Sequence, residues 1–256
     1  MIDERAVVSA DAKIHASADI GAYTVIGPGV DIGPGCRIEP HVVIKGPTRI
    51  GPDNHIYQFA SIGDDPQDKK YAGESTELVI GARNTIREYC TINRGTVQDK
   101  GQTRIGDDNW IMAYVHIAHD AVVGNHTIFA NNASIAGHVR IGDHVILGGF
   151  TAVHQFCVLG EGSFSSMFSY ITKDVPAHVV VSGRPAEPRG INTEGLKRRG
   201  FASQQIRNIR EAYRTVYRQG LSLEKALLKL QAQAAELSEL EVFVASLQAG
   251  SRGLVR

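Results

Sequence analysis

The chain has 256 residues, 43% of them hydrophobic, with 27 Lys plus Arg against 27 Asp plus Glu. That balance argues against a strongly basic nucleic-acid binder and gives no overall attraction to an anionic membrane. No apolar run approaches the roughly 20 residues of a membrane span. The opening Met1-Ile2-Asp3-Glu4-Arg5 lacks the apolar centre of a signal peptide, so a cytoplasmic protein without stable membrane insertion is expected.

From Val8 an aliphatic residue recurs at every sixth position: Ile14, Ile20, Ile26, Ile32, Ile38, Ile44, Ile50, Ile56 and Ile62. A period of six fits neither an amphipathic helix nor a simple alternating strand. It is the signature of a parallel β-helix built from hexapeptide repeats. Three hexads make one triangular coil of 18 residues, so positions 18 apart stack on one face. Cys36, Cys90 and Cys157 each stand two residues before a hexad aliphatic. Residues two apart share a face of a strand, so the thiols are expected inside the coil and not in a disulfide framework.

Two stretches break the rhythm. Residues 64–79 carry no hexad between Ile62 and Ile80, and 94–104 leave the coil between Ile92 and Ile105. Both are expected to project as loops, where a rigid scaffold tends to carry its binding groups. The hexads then resume from Ile105 to Leu159.

This second block concentrates imidazoles: His116, His119, His126, His138, His144 and His154. His116 precedes the hexad residue Ile117 and should point outward, and His119 lies in the following turn. Stacking by 18 places Gly137 and then Gln155 under His119, His138 under Asp120, and His154 under Ala136. A histidine beside a carboxylate suits general-base work. A glycine lets substrate approach the main chain, whose N–H can steady an oxyanion. Three imidazoles could instead hold zinc, but an Asp beside His119 suits a base better, so no metal and no cofactor are expected.

The hexads fade after Leu159 and stop near Pro185 and Pro188. We expect the β-helix to occupy residues 1–190 and an α-helical domain residues 191–256. Ser203 is a candidate N-cap for a helix carrying Ile206, Ile209, Tyr213, Val216 and Tyr217 and ending at Gly220. Ser222 is a candidate cap for a second helix, and Ser238 with Glu241 reads as a capping box for a third.

The segments Gln67-Asp68-Lys69-Lys70-Tyr71, Arg94-Gly95-Thr96-Val97-Gln98, His116-Ile117-Ala118-His119-Asp120, Ala136-Gly137-His138, His154-Gln155-Phe156 and Asn192-Thr193-Glu194-Gly195-Leu196-Lys197-Arg198-Arg199 resemble, in this order, the UDP-N-acetylglucosamine O-acyltransferases that begin lipid A biosynthesis. The resemblance spans essentially the whole chain. It implies a left-handed coil and a homotrimer with clefts between neighbouring solenoids. It also implies transfer of a 3-hydroxyacyl group from acyl carrier protein to the glucosamine 3-position of UDP-N-acetylglucosamine. His119 matches the general base, Asp120 its orienting carboxylate and Gly137 the oxyanion donor. His116, His138, His154 and Gln155 match cleft residues, and Gln67, Asp68 and Lys70 match a loop that meets the sugar and acyl group. Asn192, Glu194, Arg198 and Arg199 match groups near the uridine and phosphates.

Two positions depart from the family pattern: Asn93 stands where His is usual, and Met167 where some members have Gly. Met167 is expected to act as the ruler that shortens the acyl chain to a 3-hydroxydecanoyl type. Arg207, Arg210, Arg214 and Arg218 fall on one side of the first long tail helix and could face the acidic acyl carrier protein. Related N-acyltransferases carry an added N-terminal domain, which hexads starting at Val8 argue against. A trimeric scaffold that binds the carrier without turnover is the non-catalytic alternative.

Overall fold

A computed structural model describes residues 1–256. The hexads form three parallel sheets that wrap a triangular prism. The first sheet has nine strands, from Val7–Val8 to Tyr170–Ile171; the second has eight, from Lys13–Ile14 to Val158–Leu159; the third has ten, from Asp19–Ile20 to Glu187–Ile191. Up to Tyr170–Ile171 successive strands go to successive sheets, so each pairs with the one three later in sequence; at the end Phe164–Ser165 pairs with Val179–Ser182, and that strand with Glu187–Ile191.

Each strand is two to five residues long because the chain must turn a corner every sixth residue. The hexad aliphatics point inward and are almost completely buried, from Ile20 through Ile26, Ile44, Ile62 and Ile92 to Ile135. Cys36, Cys90 and Cys157 are buried among them as free thiols. Buried polar residues also stack inside the coil: Asn54 Oδ1 accepts from the Asn84 backbone and side chain, Asn84 Oδ1 from the Asn109 N–H, and Asn109 Oδ1 from Thr127. Each coil thereby satisfies the buried polar groups of the next.

Most corners from Tyr23 onward put one residue in the left-handed region, and most of these residues are not glycine. The edge between the third and first sheets carries Tyr23, His41, Phe59, Tyr89, Tyr114, Asn132, Phe150 and Phe168 at positive φ. Several of these rings stack on their neighbours one coil away, at 4.8–5.4 Å between centroids. Ring stacking offsets part of the cost of the strained turn.

Both insertions leave the prism at one edge, between the first and second sheets. They are shorter than expected. The flanking strands Ser61–Asp64, Glu77–Ile80, Thr91–Asn93 and Gln102–Ile105 extend into them, so the loops proper are 65–76 and 94–101. Cross-coil pairing captures the loop ends, with Glu77–Ile80 running beside Gln102–Ile105 over four residues. The aliphatic ladder keeps its register, Ile62 pairing with Ile92 and Ile92 with Ile117, and among the parallel pairs the register shifts only where the first loop departs, between Ile62 and Asp64.

After Tyr170–Ile171 the coil closes with Val179–Ser182 and the antiparallel strand Glu187–Ile191, so the boundary expected at residue 190 lies inside the last strand. Four helices follow: α1 Thr193–Arg198, α2 Ser203–Tyr217, α3 Leu223–Ala234 and α4 Glu241–Ser246. Their apolar residues, including Leu196, Ile209, Leu230 and Phe243, join the same core as the coil.

Two expected caps are corrected. Ser203 is the first residue of α2; the N-cap is Ala202, whose N–H is accepted by Gln205 Oε1. Ser238 starts a short 3₁₀ turn, and α4 begins after Leu240 with no side-chain cap. Ser222 does cap α3, accepting from the Lys225 N–H. The short helix α1 is an element the hydrophobic pattern did not reveal, since only Leu196 of its six residues is buried.

Candidate active site

The edge that carries the two loops also carries the turn of His119 and Asp120. One coil on, the His138 N–H bonds the His119 carbonyl, and on the next the Phe156 N–H bonds the Gly137 carbonyl. Asp120, His138 and Phe156 occupy the left-handed corner position of successive coils, with φ of 59°, 62° and 66°. That corner backbone aims their side chains along one edge, beneath the loops.

A cleft of about 840 Å³ lies between the loops and this edge. The first loop contributes Gln67, Asp68 and Lys70, and the second Gln98 and Asp99; His119, His138, Gln155 and Phe156 form the floor. The walls are almost wholly polar. The first loop is anchored by Arg94, which is buried and donates to the Gly63 carbonyl, the Asp65 carboxylate and the Tyr71 hydroxyl. Asn93 is buried under that loop and donates to the Asp65 carbonyl at 2.6 Å. It therefore acts on the loop's base and does not line the cleft.

His119 and Asp120 form a dyad. His119 Nδ1 lies 2.9 Å from Asp120 Oδ2, and their side chains are 15% and 1% exposed. Thr96 also donates to the carboxylate, from its N–H to Oδ1 at 2.8 Å and from its hydroxyl to Oδ2 at 2.6 Å. Burial by itself would raise the Asp120 pKa, but the hydrogen bonds from His119 and Thr96 outweigh it and hold the group below its ordinary value. An ionised Asp120 can only accept, so it fixes the proton of neutral His119 on Nδ1 and leaves Nε2 free as a base.

Gly137 lies directly under the His119 ring. A Cβ there would come within 2.6 Å of Cε1 and 2.8 Å of Nε2, so the imidazole keeps this position only because residue 137 has no side chain. No protein group accepts the Gly137 N–H. The turn N–H groups of His119 and Gln155 are equally unpaired; what sets Gly137 apart is its place beneath the ring of the base.

His138 stacks on Phe156 at 4.5 Å and meets the His119 ring edge-on at 5.2 Å. Its Nδ1 is 3.1 Å from Asp99 Oδ2. His116 points outward from its strand, with Nδ1 2.7 Å from Thr91 Oγ1. Burial, then the neighbouring His119, depress its pKa, so His116 stands as a neutral hydrogen-bonding group beside the dyad. His154 bonds the Gln155 carbonyl at 3.1 Å. His116, His154 and the buried Gly137 do not line the cleft. One ligand atom each of His119, Asp120 and His138 lie within 4.8 Å of one another, but the Asp120 oxygens already accept from Thr96 and His119, an arrangement that suits a dyad.

The remaining candidates do not join this cleft within one chain. Asn192, Glu194, Arg198 and Arg199 line a separate hollow of about 570 Å³ on the edge between the second and third sheets. His126 and His144, stacked at 4.9 Å, belong to that edge as well and not to the His119 cluster. Asn192 Oδ1 caps α1 through the Gly195 N–H, and Arg199 pairs with Glu161 and lies over Phe201. Glu194 is exposed and paired with Lys197. Ile128, Ile146 and Phe164 give this hollow an apolar wall. Met167 sits on the third edge, 61% exposed beside Phe168.

Sequence reasoning did not single out Thr96, Asp99 or Phe156 as site residues. Phe156 follows from adding 18 to His138, a signal the repeat contains. Thr96 and Asp99 lie in a loop whose path no period describes.

The chain resembles known proteins over its whole length. Residues 174–255 match the family model described as Udp N-acetylglucosamine O-acyltransferase, domain 2, and residues 11–46 and 102–137 match the bacterial transferase hexapeptide model. It is 53% identical over 212 residues to the acyl-[acyl-carrier-protein]–UDP-N-acetylglucosamine O-acyltransferase of Stutzerimonas stutzeri, covering 83% of this chain and 82% of the relative. This chain belongs to that acyltransferase family. The corresponding protein of Verminephrobacter eiseniae is also 53% identical, over 84% of this chain and 83% of its own. Among solved family structures, that from Acinetobacter baumannii superposes with a TM-score of 0.98 at 46% identity, over 100% of this chain and 99% of the other. The UDP-N-acetylglucosamine O-acyltransferase of Moraxella catarrhalis does so with 0.98 at 48%, over the same shares. Family membership makes the chain an acyltransferase and the coil a left-handed parallel β-helix. No helix is long and apolar enough to cross a membrane.

Proposed function

We propose that this enzyme transfers a 3-hydroxyacyl group from acyl carrier protein to the 3-hydroxyl of UDP-N-acetylglucosamine, the first step of lipid A biosynthesis, in the cytoplasm. The observation that carries the mechanism is the His119–Asp120 dyad lying on Gly137. His119 Nε2 takes the proton of the sugar hydroxyl as its oxygen attacks the thioester carbonyl. The carbonyl oxygen becomes an oxyanion, to which the Gly137 N–H donates. Collapse breaks the C–S bond, and His119 returns the proton to the leaving thiolate. Base, acid and oxyanion donor are all in the protein, so the reading needs no metal and no covalent acyl-enzyme.

The same reading calls for a homotrimer. The base, the nucleotide-binding candidates and Met167 lie on three different edges of one prism, and a small substrate cannot reach around it. Neighbouring coils can bring two edges together, with Arg198 and Arg199 of one copy recognising phosphate through their planar forks near His119 of another. Arg207 and Arg214 on α2 and Arg218 just past its end are exposed, while Arg210 turns toward Thr193; Arg214 pairs with Glu211, which leaves Arg207 and Arg218 as the cations for the acidic carrier.

Incubating the protein with 3-hydroxyacyl carrier protein and UDP-N-acetylglucosamine tests this function. Acylated nucleotide sugar should form at an undiminished rate in a metal chelator. Carrier binding without product would favour the scaffold reading, and activity lost in chelator but restored by zinc would favour a metal bound by His119, Asp120 and His138.

Met167 is proposed as the acyl ruler. Each methylene buried favours binding by about 0.8 kcal/mol, so an apolar groove alone prefers longer chains and rejection needs a steric stop. The exposed Met167 side chain on the aromatic edge is our candidate for that stop. The wild type should prefer a 3-hydroxydecanoyl over a 3-hydroxymyristoyl donor, and Met167→Gly should move the preference toward the longer donor. An unchanged ratio removes Met167 as the stop; a wild type favouring the longer donor removes the short-chain assignment.

A further inference from the structure

We propose that Thr96, carried by the second inserted loop, is a positioning residue for the acyl transfer: it holds Asp120 in the orientation that keeps His119 a base. The inference rests on the reading of His119 as general base and extends it to the loop above it.

The geometry is specific. Thr96 is 1% exposed and spends both of its donors on one carboxylate, its N–H on Oδ1 and its hydroxyl on Oδ2. Oδ2 is also the oxygen that faces His119 Nδ1. On its other side, the Asp120 N–H donates to Thr103 Oγ1 at 2.8 Å. The main chain at 120 is therefore held by the coil and the carboxylate by the loop, so its rotation is set before substrate arrives.

Thr96 is itself fixed. Its carbonyl accepts from the N–H groups of Asp99 and Gly101, which folds the loop into a closed turn. Next to it, a Cβ on Gly95 would come within 2.2 Å of the Gln102 nitrogen, so the strand-to-loop crossing requires glycine. The loop also places the Asp99 carboxylate on His138 Nδ1. A seven-residue excess over the hexad spacing, from Ile92 to Ile105, thus delivers a second N–H and a hydroxyl to the Asp120 carboxylate from outside the regular coil.

The test compares Thr96→Ser, which keeps the hydroxyl, with Thr96→Ala and Thr96→Val, which lose it. A hydrogen bond to a charged group is lost in the latter two, so kcat/KM should fall roughly 10- to 100-fold, with Thr96→Ser close to wild type. With one donor fewer, Asp120 holds the His119 proton more tightly, and the acid limb of the kcat/KM–pH profile should move to higher pH in the alanine and valine variants only. In a His119→Ala background, Thr96→Ala should cause no further loss, since both act through one group. Should valine disturb assembly, serine against alanine keeps the comparison, because both are smaller than threonine and differ in the hydroxyl.

Wild-type rate and pH profile in Thr96→Ala overturn the proposal. So does equal damage from serine and alanine, or an additive loss in the His119→Ala background, each of which marks a packing role. Full activity in His119→Ala alone instead removes the general-base reading on which the proposal stands.

Discussion

Replacing His119 by alanine is expected to lower turnover by roughly 10²–10⁴-fold, the loss typical of a missing general base, while the coil stays folded. The side chain lies outside the aliphatic interior and lines the cleft, so its removal opens no cavity in the core. The turn is held by main-chain bonds, including that from the His138 N–H to the His119 carbonyl, and alanine keeps them. His116→Ala should cost less, because its ring bonds Thr91 and stands off the cleft floor. Steady-state assay beside a thermal melt checks both; wild-type turnover in His119→Ala would remove this residue from the mechanism.

Gly137→Ala is expected to be nearly as damaging to activity for a different reason. A single methyl would enter the space of the His119 ring, 2.6 Å from Cε1. The backbone at 137 is not in the left-handed region, so alanine strains no dihedral there. The ring can yield only by swinging away from Asp120, which breaks the 2.9 Å contact that orients it. Misplacement of a catalytic group by about 1 Å can cost roughly 10²-fold, and a drop of at least that size in kcat is expected with little change in melting temperature. A variant that melts as wild type and turns over normally would show that the ring position is immaterial. One that unfolds would show that Gly137 serves packing.

The contrast between these two substitutions bears on what the repeat can teach. Stacking by 18 places Gly137 beneath His119 from the sequence alone, and the chemistry of base and oxyanion donor follows from residue types at that spacing. What the period does not say is how close the two lie. The close approach arises from the parallel register of the first and second sheets and from the left-handed corner at Asp120.

The sequence by itself determined the prism, the inward aliphatics and thiols, the two excursions, and the column of His119, Asp120, Gly137, His138 and Gln155. It could do so because a period of six converts position directly into place: each side chain's face depends only on its remainder within the hexad. Where that rule lapses, only the tertiary structure decided. Thr96 and Asp99 reach the dyad through a loop whose course is set by Gly95, the pairing of Glu77–Ile80 with Gln102–Ile105, and the Thr96 carbonyl. Asn192, Arg198 and Arg199 lie on a different edge from His119, and Met167 on the third. A linear order of motifs cannot reveal that separation, because the side of a solenoid to which a non-repeating tail returns is fixed by packing against its end, here through the last antiparallel strand and the core shared with α2.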